Sequence, residues 1–493
     1  MEMTKLVELA ERERVAALAD VDAGLQSEFG QFFTPGAAAE LIASMFVLPT
    51  RGTVRVLDPG AGSGILSAAL VDRIIRESPS VRIDLVAIER DTAMIPHLEA
   101  TLDACARATE GRVHTQVIEA DFILDSTGLT PSLNFDSSFD LVIENPPYGK
   151  LAVSSPHRKA LRAAGLDAPN LYAAFLSLSI AALKSGGQLA AITPRSFFNG
   201  PYFGSFRSYF LDSLALNRIH VFDSRSNVFA DTGVLQENVV FVGTRDDASS
   251  SVVLSVSQDH TDKITSRVVP FDSVVFPNDP HKFIRLATGD EDLSIAKLVL
   301  SQPCTLADLG IQVSTGRVVD FRSRGSLSDK RIPGAYPLIY PGNLKFGEMR
   351  WPQEIRKPQW FVPSSKSDEA MLLPVGWYTV VKRFSSKEEK RRIVTATWSP
   401  HDFPDSVAFE NHLNVFHSAG QGIDEDLAKG LTIWLNSSVI DRFFRTFSGH
   451  TQVNATDLRT LRFPRVDVLR DLGQRSAESQ GEVDRLVMER IAA

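Results

Sequence analysis

Asn145-Pro146-Pro147-Tyr148 holds the residues of this chain best suited to chemistry. Two successive prolines fix φ and withdraw two backbone N–H donors. What remains is a rigid patch of acceptors, the Asn145 side-chain oxygen and the Pro146 carbonyl, beside the flat ring of Tyr148. Such a patch suits a planar amino group, held through its hydrogens and stacked face-on. Standing alone, the tetrapeptide would read first as a Pro-rich turn closing a strand. It has company. Val56-Leu57-Asp58-Pro59-Gly60-Ala61-Gly62-Ser63-Gly64 places glycines between a strand and a helix, where backbone can approach a ligand near helix N-terminal N–H groups. Glu89 ends the apolar run 85–88, and a carboxylate there can accept both hydroxyls of a ribose. In Glu119-Ala120-Asp121-Phe122, Asp121 could accept from an adenine amino group and Phe122 could cover the base. Each acid alone would pass for a solvated loop residue; their ordered recurrence would not.

Elements of a particular kind must carry these sites. Residues 4–20 have helical spacing. Thr34 and Pro35 then read as the N-cap and first residue of a helix running to about 48. Beyond it, strands at 53–57, 83–89, 113–119, 139–144 and 188–193 alternate with helices at 65–76, 94–108 and 171–183. Alternation of this kind predicts a largely parallel sheet with helices on both faces, and ligands at the carboxyl ends of strands. Every notable motif falls at such an end. The glycine spacing is neither G-x-G-x-x-G nor followed by Gly-Lys-Ser/Thr, so a P-loop is not expected.

A chain of 493 residues implies two or more domains with sizeable cores. No apolar run reaches membrane-spanning length, and the charged N-terminus lacks a signal-peptide pattern. Only two cysteines occur, Cys105 and Cys304, and no Cys/His pair has metal-ligand spacing. The expectation is a cytoplasmic protein that uses no metal and no membrane. The net charge of −8 is unevenly spread: residues 301–493 hold 26 Lys and Arg against 23 Asp and Glu, and within 315–395 the count is 16 against 8. A basic segment in an acidic protein fits a localised polyanion contact as well as a solvated charged face.

Taken in order, F-x-T-P at 32–35, D-P-x-x-G-x-G, the acid after the second strand, A-D-F and N-P-P-Y resemble the motif series of S-adenosylmethionine-dependent DNA amino-methyltransferases. The closest likeness is to TaqI-like N6-adenine methyltransferases of type II restriction–modification systems. It implies a Rossmann-like α/β domain with a mostly parallel seven-stranded sheet, then a mixed α+β target-recognition domain. Residues 1–28 would be an N-terminal helical segment, 29–248 the catalytic domain, 249–300 a connector, 301–465 the recognition domain and 466–493 a C-terminal helix. The same resemblance assigns Thr34, Asp58, Pro59, Gly60, Gly62, Gly64, Glu89, Asp121 and Phe122 to S-adenosyl-L-methionine. It gives Asn145, Pro146 and Tyr148 to the target amine, and Phe229 to the second face of a base flipped out of double-stranded DNA. A cognate restriction endonuclease would be the genetic partner.

In the second half, aromatics are interspersed with basic residues. Lys382, Arg383, Lys387, Lys390, Arg391 and Arg392 form a cluster able to neutralise phosphates or read guanine. Residues 382–389 resemble modification enzymes of the PstI type, which implies a CTGCAG-like target. Two other substrates share the problem of a delocalised nitrogen, a glutamine amide in protein and adenine in RNA. A recognition domain of nearly 200 residues after the catalytic one argues against the first. The lack of an RNA-binding signature argues against the second.

Overall fold

Alternating apolar strands and amphipathic helices give the first half its layers. The computed structural model describes residues 4–20, 33–109, 111–127, 138–222, 238–259, 262–277, 279–286, 289–385, 389–400, 405–448 and 451–491. The chain divides into two compact units, Met1–Thr288 and Gly289–Ala493. In the first, helices α1 (Lys5–Asp20) and α2 (Gly36–Ser44) precede β1 (Gly52–Pro59), α3 (Ile65–Glu77), β2 (Val81–Glu89), α4 (Ile95–Ala108) and β3 (Val113–Glu119). Then come α5 (Phe122–Thr127), β4 (Phe139–Glu144), α6 (Pro156–Ala163), α7 (Leu171–Ala182), β5 (Leu183–Pro194), α8 (Gly204–Ser213), β6 (Leu214–Phe222) and β7 (Asn238–Arg245). Two further strands follow, β8 (Ser251–Ser257) and β9 (Thr265–Pro270).

One sheet unites the nine strands in the order β3-β2-β1-β4-β5-β7-β6-β8-β9. β1 pairs in parallel with β2 on one side and β4 on the other, with Val56 opposite both Leu85 and Leu141. The chain therefore reverses its direction of winding between β1 and β4, the kind of switch point where open α/β sheets bind ligands. One face buries Val54, Val56, Ile83, Leu85, Leu141 and Ile143 against α1, α2, α3 and α4. Helix α7 is buried almost all round, and Asn170 caps it by accepting from the Ala173 N–H at 3.1 Å.

Three expectations change. The sheet has nine strands rather than seven, because β8 and β9, within the stretch read as a connector, extend it through parallel pairing of β8 with β6 and an antiparallel hairpin. Their short alternating pattern, with no crossover helix beside it, resembles connector sequence. Helix α2 begins one residue later than its Thr-Pro signal, with Pro35 at the cap and no side-chain cap. The Gly36 N–H instead donates to Glu11 Oε2 of α1 at 3.0 Å, and the Thr34 hydroxyl is engaged elsewhere. The C-terminal stretch is two helices, Val466–Gly473 and Gln480–Ile491, rather than one.

The second unit is mixed α+β. It holds a four-stranded antiparallel sheet of Gln312–Thr315, Leu413–His417, Tyr378–Lys382 and Thr395–Trp398, in that order. A second four-stranded sheet and a small hairpin accompany it, with helices at its C-terminal end. Helix Glu425–Leu435 packs backbone to backbone on helix Val466–Gly473: a Cβ on Gly430 would lie 1.8 Å from the Leu469 carbonyl oxygen. Gly430→Ala must push these helices apart and should cost about 3 kcal/mol, at the high end for overpacking. Gly481→Ala, with no atom within 4 Å of the new Cβ, should be neutral or slightly stabilising. Urea unfolding of both variants checks the contrast.

Candidate active site

The carboxyl ends of β1, β2, β3 and β4 open onto one cavity. Among its walls are Phe33, Thr34, Gly60, Gly62, Glu89, Asp121, Phe122, Asn145, Pro147, His157 and Phe175. Five motifs far apart in sequence thus share one space. Asp58, Pro59, Gly64, Pro146 and Tyr148 are not among the residues lining it.

The glycine turn is tied down from below. The N–H groups of Gly60 and Ala61 both donate to the Ile88 carbonyl, at 2.7 and 2.9 Å. Gly60, Gly62 and Gly64 have φ of +70°, +55° and +84°, which L side chains rarely adopt. A Cβ on Gly60 would sit 3.2 Å from the Phe175 ring and one on Gly62 3.6 Å from Phe33, so the missing side chains leave the cavity its width. Gly64 instead faces α4, where a Cβ would meet Leu98 at 3.0 Å. Glu89 is buried and anchors the turn. Its Oε2 accepts from Gly62 N–H and its Oε1 from the N–H groups of Arg90 and Asp91, each at 2.8 Å. Burial raises its pKa while those three donors oppose the shift.

Asp121 is a hub rather than a free acceptor. Its Oδ1 accepts from the N–H groups of Ile123 and Leu124 at the start of α5, and its Oδ2 meets His157 Nε2 at 2.9 Å and Arg90 at 3.1 Å. These partners outweigh its desolvation and hold the carboxyl well below the usual range. Phe122 is buried, its ring 5.1 Å from that of Phe175. Sequence reasoning missed His157, Arg90 and Phe175. Phe175 lies within the helix expected at 171–183, whereas His157 stands in no recognisable spacing and only α6 brings it to Asp121.

At the mouth of β4, the amide of Asn145 is oriented from both sides. Its Nδ2 donates to Thr34 Oγ1 at 2.9 Å, and its Oδ1 accepts from the Tyr148 hydroxyl at 3.1 Å. The Thr34 bond explains why that hydroxyl does not cap α2. It also decides which way the amide points. The Tyr148 ring stands edge-on to Tyr172 with centroids 6.4 Å apart.

The family model of Eco57I restriction-modification methylases matches residues 89–229. M.PstI of Providencia stuartii, a type II methyltransferase, is 42% identical over 471 residues, covering 94% of this chain and 92% of its own. The chain belongs to the type II methyltransferases. M.BsuBI of Bacillus subtilis, another type II methyltransferase, is 40% identical over 98% of this chain and 97% of its own. The fold is shared with the Type IIL restriction-modification enzyme MmeI solved in complex with DNA, at a TM-score of 0.51 and 11% identity, covering 98% of this chain and 74% of that one.

The cofactor of this methyltransferase is S-adenosyl-L-methionine, and the cavity suits it: an open glycine turn, a buried carboxylate at the second strand end and aromatic walls. No group of three His, Cys, Asp or Glu able to hold a metal occurs among the described residues. No described helix is long and apolar enough to cross a membrane. Burial pushes the Cys105 thiol up to about 12, so it is no nucleophile.

Two of the basic residues singled out for DNA prove to be internal in the methyltransferase. Arg392 is fully buried: its guanidinium donates to Ser385 Oγ and to the carbonyl and hydroxyl oxygens of Ser448, each at 3.2 Å, and packs over Phe444. Arg391 donates to the carbonyls of Asn436 and Ser437 and contacts Gln480. A guanidinium spent on closing a core cannot also neutralise a phosphate, so these two assignments are corrected. Lys382 is half-buried, with its pKa lowered chiefly by desolvation. Arg383 donates to the Asn411 carbonyl and to Gln452 Oε1, at 3.2 Å each, and Lys390 is exposed. Phe229 and Lys387 lie outside the described residues.

Beneath the site lie two more buried carboxyls. Asp58 Oδ2 accepts from Ser67 Oγ at 2.6 Å, and Glu144 Oε2 accepts from Ser179 Oγ at 2.9 Å. The other oxygen of each has no hydrogen-bond partner among the described residues. Burial pushes Asp58 from its ordinary 3.8 up to about 7, and Glu144 from 4.5 up to about 8. The folded protein therefore holds protons that the unfolded chain has already released. Their stabilising effect is complete below about pH 4 and is lost as pH rises through about 7 and 8. Unfolding free energy of the cofactor-free protein should fall across that window by an amount on the order of a few kcal/mol. Asp58→Asn and Glu144→Gln should each flatten part of the slope, as read from urea midpoints at a series of pH values.

Proposed function

We propose that this methyltransferase transfers a methyl group from S-adenosyl-L-methionine to N6 of an adenine flipped out of double-stranded DNA. The setting would be cytoplasmic, with a cognate restriction endonuclease as its genetic partner. The observation that carries the reading is the Thr34–Asn145 hydrogen bond at the rim of the cavity that the glycine turn and Glu89 also line. It presents an amide oxygen where the amine of a base could meet the methyl donor. Membership of the type II methyltransferases supports DNA as the substrate, and likeness to M.PstI supports a CTGCAG-like site.

S-Adenosyl-L-methionine supplies a methyl group on a sulfonium that leaves as a neutral thioether. The residues of this chain address the other reactant. The exocyclic nitrogen of adenine is a poor nucleophile because its lone pair is delocalised into the ring. Asn145 Oδ1 and the Pro146 carbonyl accept from its two N–H groups, which favours a pyramidal nitrogen with its lone pair free. As the N–C bond forms, positive charge grows on nitrogen and both contacts strengthen, so they stabilise the transition state more than the ground state. The amine then loses one proton to solvent water, since methylation has made it strongly acidic. Tyr148 supplies a flat face for the base, and its hydroxyl gives up its place on Asn145 Oδ1 or shares it. Glu89 would take the ribose hydroxyls of the cofactor, with Thr34, Gly60, Gly62, Asp121 and Phe122 around it. Within the recognition unit, exposed Lys390 and half-buried Lys382 remain candidates for phosphate contact.

Asn145→Ala should lower methyl transfer by roughly a hundredfold or more while cofactor affinity, read by calorimetry, stays within a few-fold. Transfer of labelled methyl to duplex DNA, RNA and a glutamine-bearing release-factor-like protein separates the three substrates. Nucleosides from digested DNA should contain N6-methyladenine. Label in RNA or protein alone, a methylcytosine product, or near-normal turnover by Asn145→Ala would overturn the proposal.

A further inference from the structure

Where strand Tyr378–Lys382 runs out, three segments of the recognition unit are laced together. The Arg383 N–H donates to the His412 carbonyl at 2.9 Å, the Val453 N–H to the Arg383 carbonyl at 2.6 Å, and the Ser385 N–H to the Thr451 carbonyl at 3.1 Å. Phe384 and Gln452 form an isolated antiparallel bridge between them. Backbone held on both sides gives the side chains above it little freedom. One of them is Phe384, 45% exposed, and its ring lies 4.8 Å from that of His412, whose side chain is 44% exposed. An aromatic pair left this open on a rigid support forgoes stabilisation that contact with an apolar partner surface would contribute.

The polar groups around the pair are fixed too. Glu410 is completely buried, and its two oxygens face His412, Oε2 accepting the backbone N–H at 2.9 Å and Oε1 lying 2.5 Å from Nδ1. A carboxylate there makes Nδ1 the donor and turns Nε2 outward. Gln452 Oε1 accepts from Arg383, which fixes the amide so that its Nε2 presents donors. Asn411 Oδ1, next to His412, is buried without a partner. Two nearby cations among the described residues are engaged, Arg383 by Asn411 and Gln452, and Lys357 by Asp320 at 2.5 Å. An aromatic face with directed hydrogen-bonding atoms and little free charge suits base edges better than phosphates. The surrounding stretch 315–395, with 16 basic residues against 8 acidic, supplies the general attraction to the backbone.

We propose that Phe384, His412 and Gln452 form a base-reading platform for duplex DNA. Gln452 donates to an acceptor on a base edge, His412 Nε2 makes a second directed contact, and Phe384 packs against a base or thymine methyl. The inference rests on the reading of duplex DNA as substrate.

The test begins with wild-type protein and sequencing of methylated DNA from cells that express it, which defines the target site. Absence of any methylated DNA would overturn the substrate reading itself. With the site known, full-length wild-type, Gln452→Ala, His412→Gln and Phe384→Leu proteins are compared on target duplexes and single-base-pair variants over a range of salt. Each substitution should lower discrimination at one or two positions by about tenfold or more. The slope of log affinity against log salt should stay unchanged. Urea unfolding of each variant, followed by tryptophan fluorescence, reports that its second unit, which holds all five tryptophans, is folded. Gln452→Ala alters only a partly exposed side chain and keeps the test usable should His412→Gln, which disturbs the partner of Glu410, fail to fold. Uniform weakening on all sequences with a slope reduced by about one would mean phosphate contact, and no change would mean no contact; either overturns the platform.

Discussion

Parallel pairing of β1 with β4 is the constraint on which the site depends. With Val56 opposite Leu141 and Leu57 opposite Val142, two strands about 85 residues apart in sequence end side by side. One end releases the glycine turn and the other releases Asn145-Pro146-Pro147-Tyr148. A one-residue slip would turn every side chain of β4 to the opposite face, burying or exposing the wrong residues. The apolar alternation of both strands therefore sets where an amide oxygen stands relative to a cofactor cavity. The Thr34 hydroxyl completes the placement by choosing the orientation of that amide.

Polar groups beneath the site are arranged for rigidity rather than reactivity. Glu89 is satisfied by three backbone N–H groups and Asp121 by two, with His157 and Arg90 added. A carboxylate so engaged moves little, and the turns it ties down move little with it. Asp58 and Glu144, each with only one serine hydroxyl, instead lean toward the protonated form. Burial raises Glu89 in the same direction despite its three donors, and of these four only Asp121, with His157 and Arg90 beside it, is held below the usual range. The amine methylation proposed above requires no strong base at the nitrogen. What it requires is acceptors held still.

The second unit applies the same principle to arginine. Arg391 and Arg392 close a core between helices and strands, whereas Arg383 holds Gln452 and leaves an aromatic pair facing outward. A run of six cations in eleven residues thus splits between scaffold and surface. Burial decides which is which, since a guanidinium inside the protein must spend its donors on nearby carbonyls.

Much of this protein was legible in its sequence. Strands at 113–119 and 139–144 are local matters, set by apolar periodicity. The ordered motifs at strand ends were enough to indicate a cofactor cavity and an amine clamp. Other features were not legible, because they depend on which distant segments touch. Thr34 carries a helix-start signal, yet its hydroxyl serves Asn145, 111 positions away. His157 acquires its partner only when α6 folds beside β3. The hairpin of β8 and β9 looked like a connector until an edge of the sheet accepted it. Lys382–Arg392 looked like one basic patch because sequence shows charge but not solvation. Sequence determined which groups could do chemistry; tertiary contact decided which remained free to do it, since a buried polar atom is claimed by whatever partner the fold brings within reach.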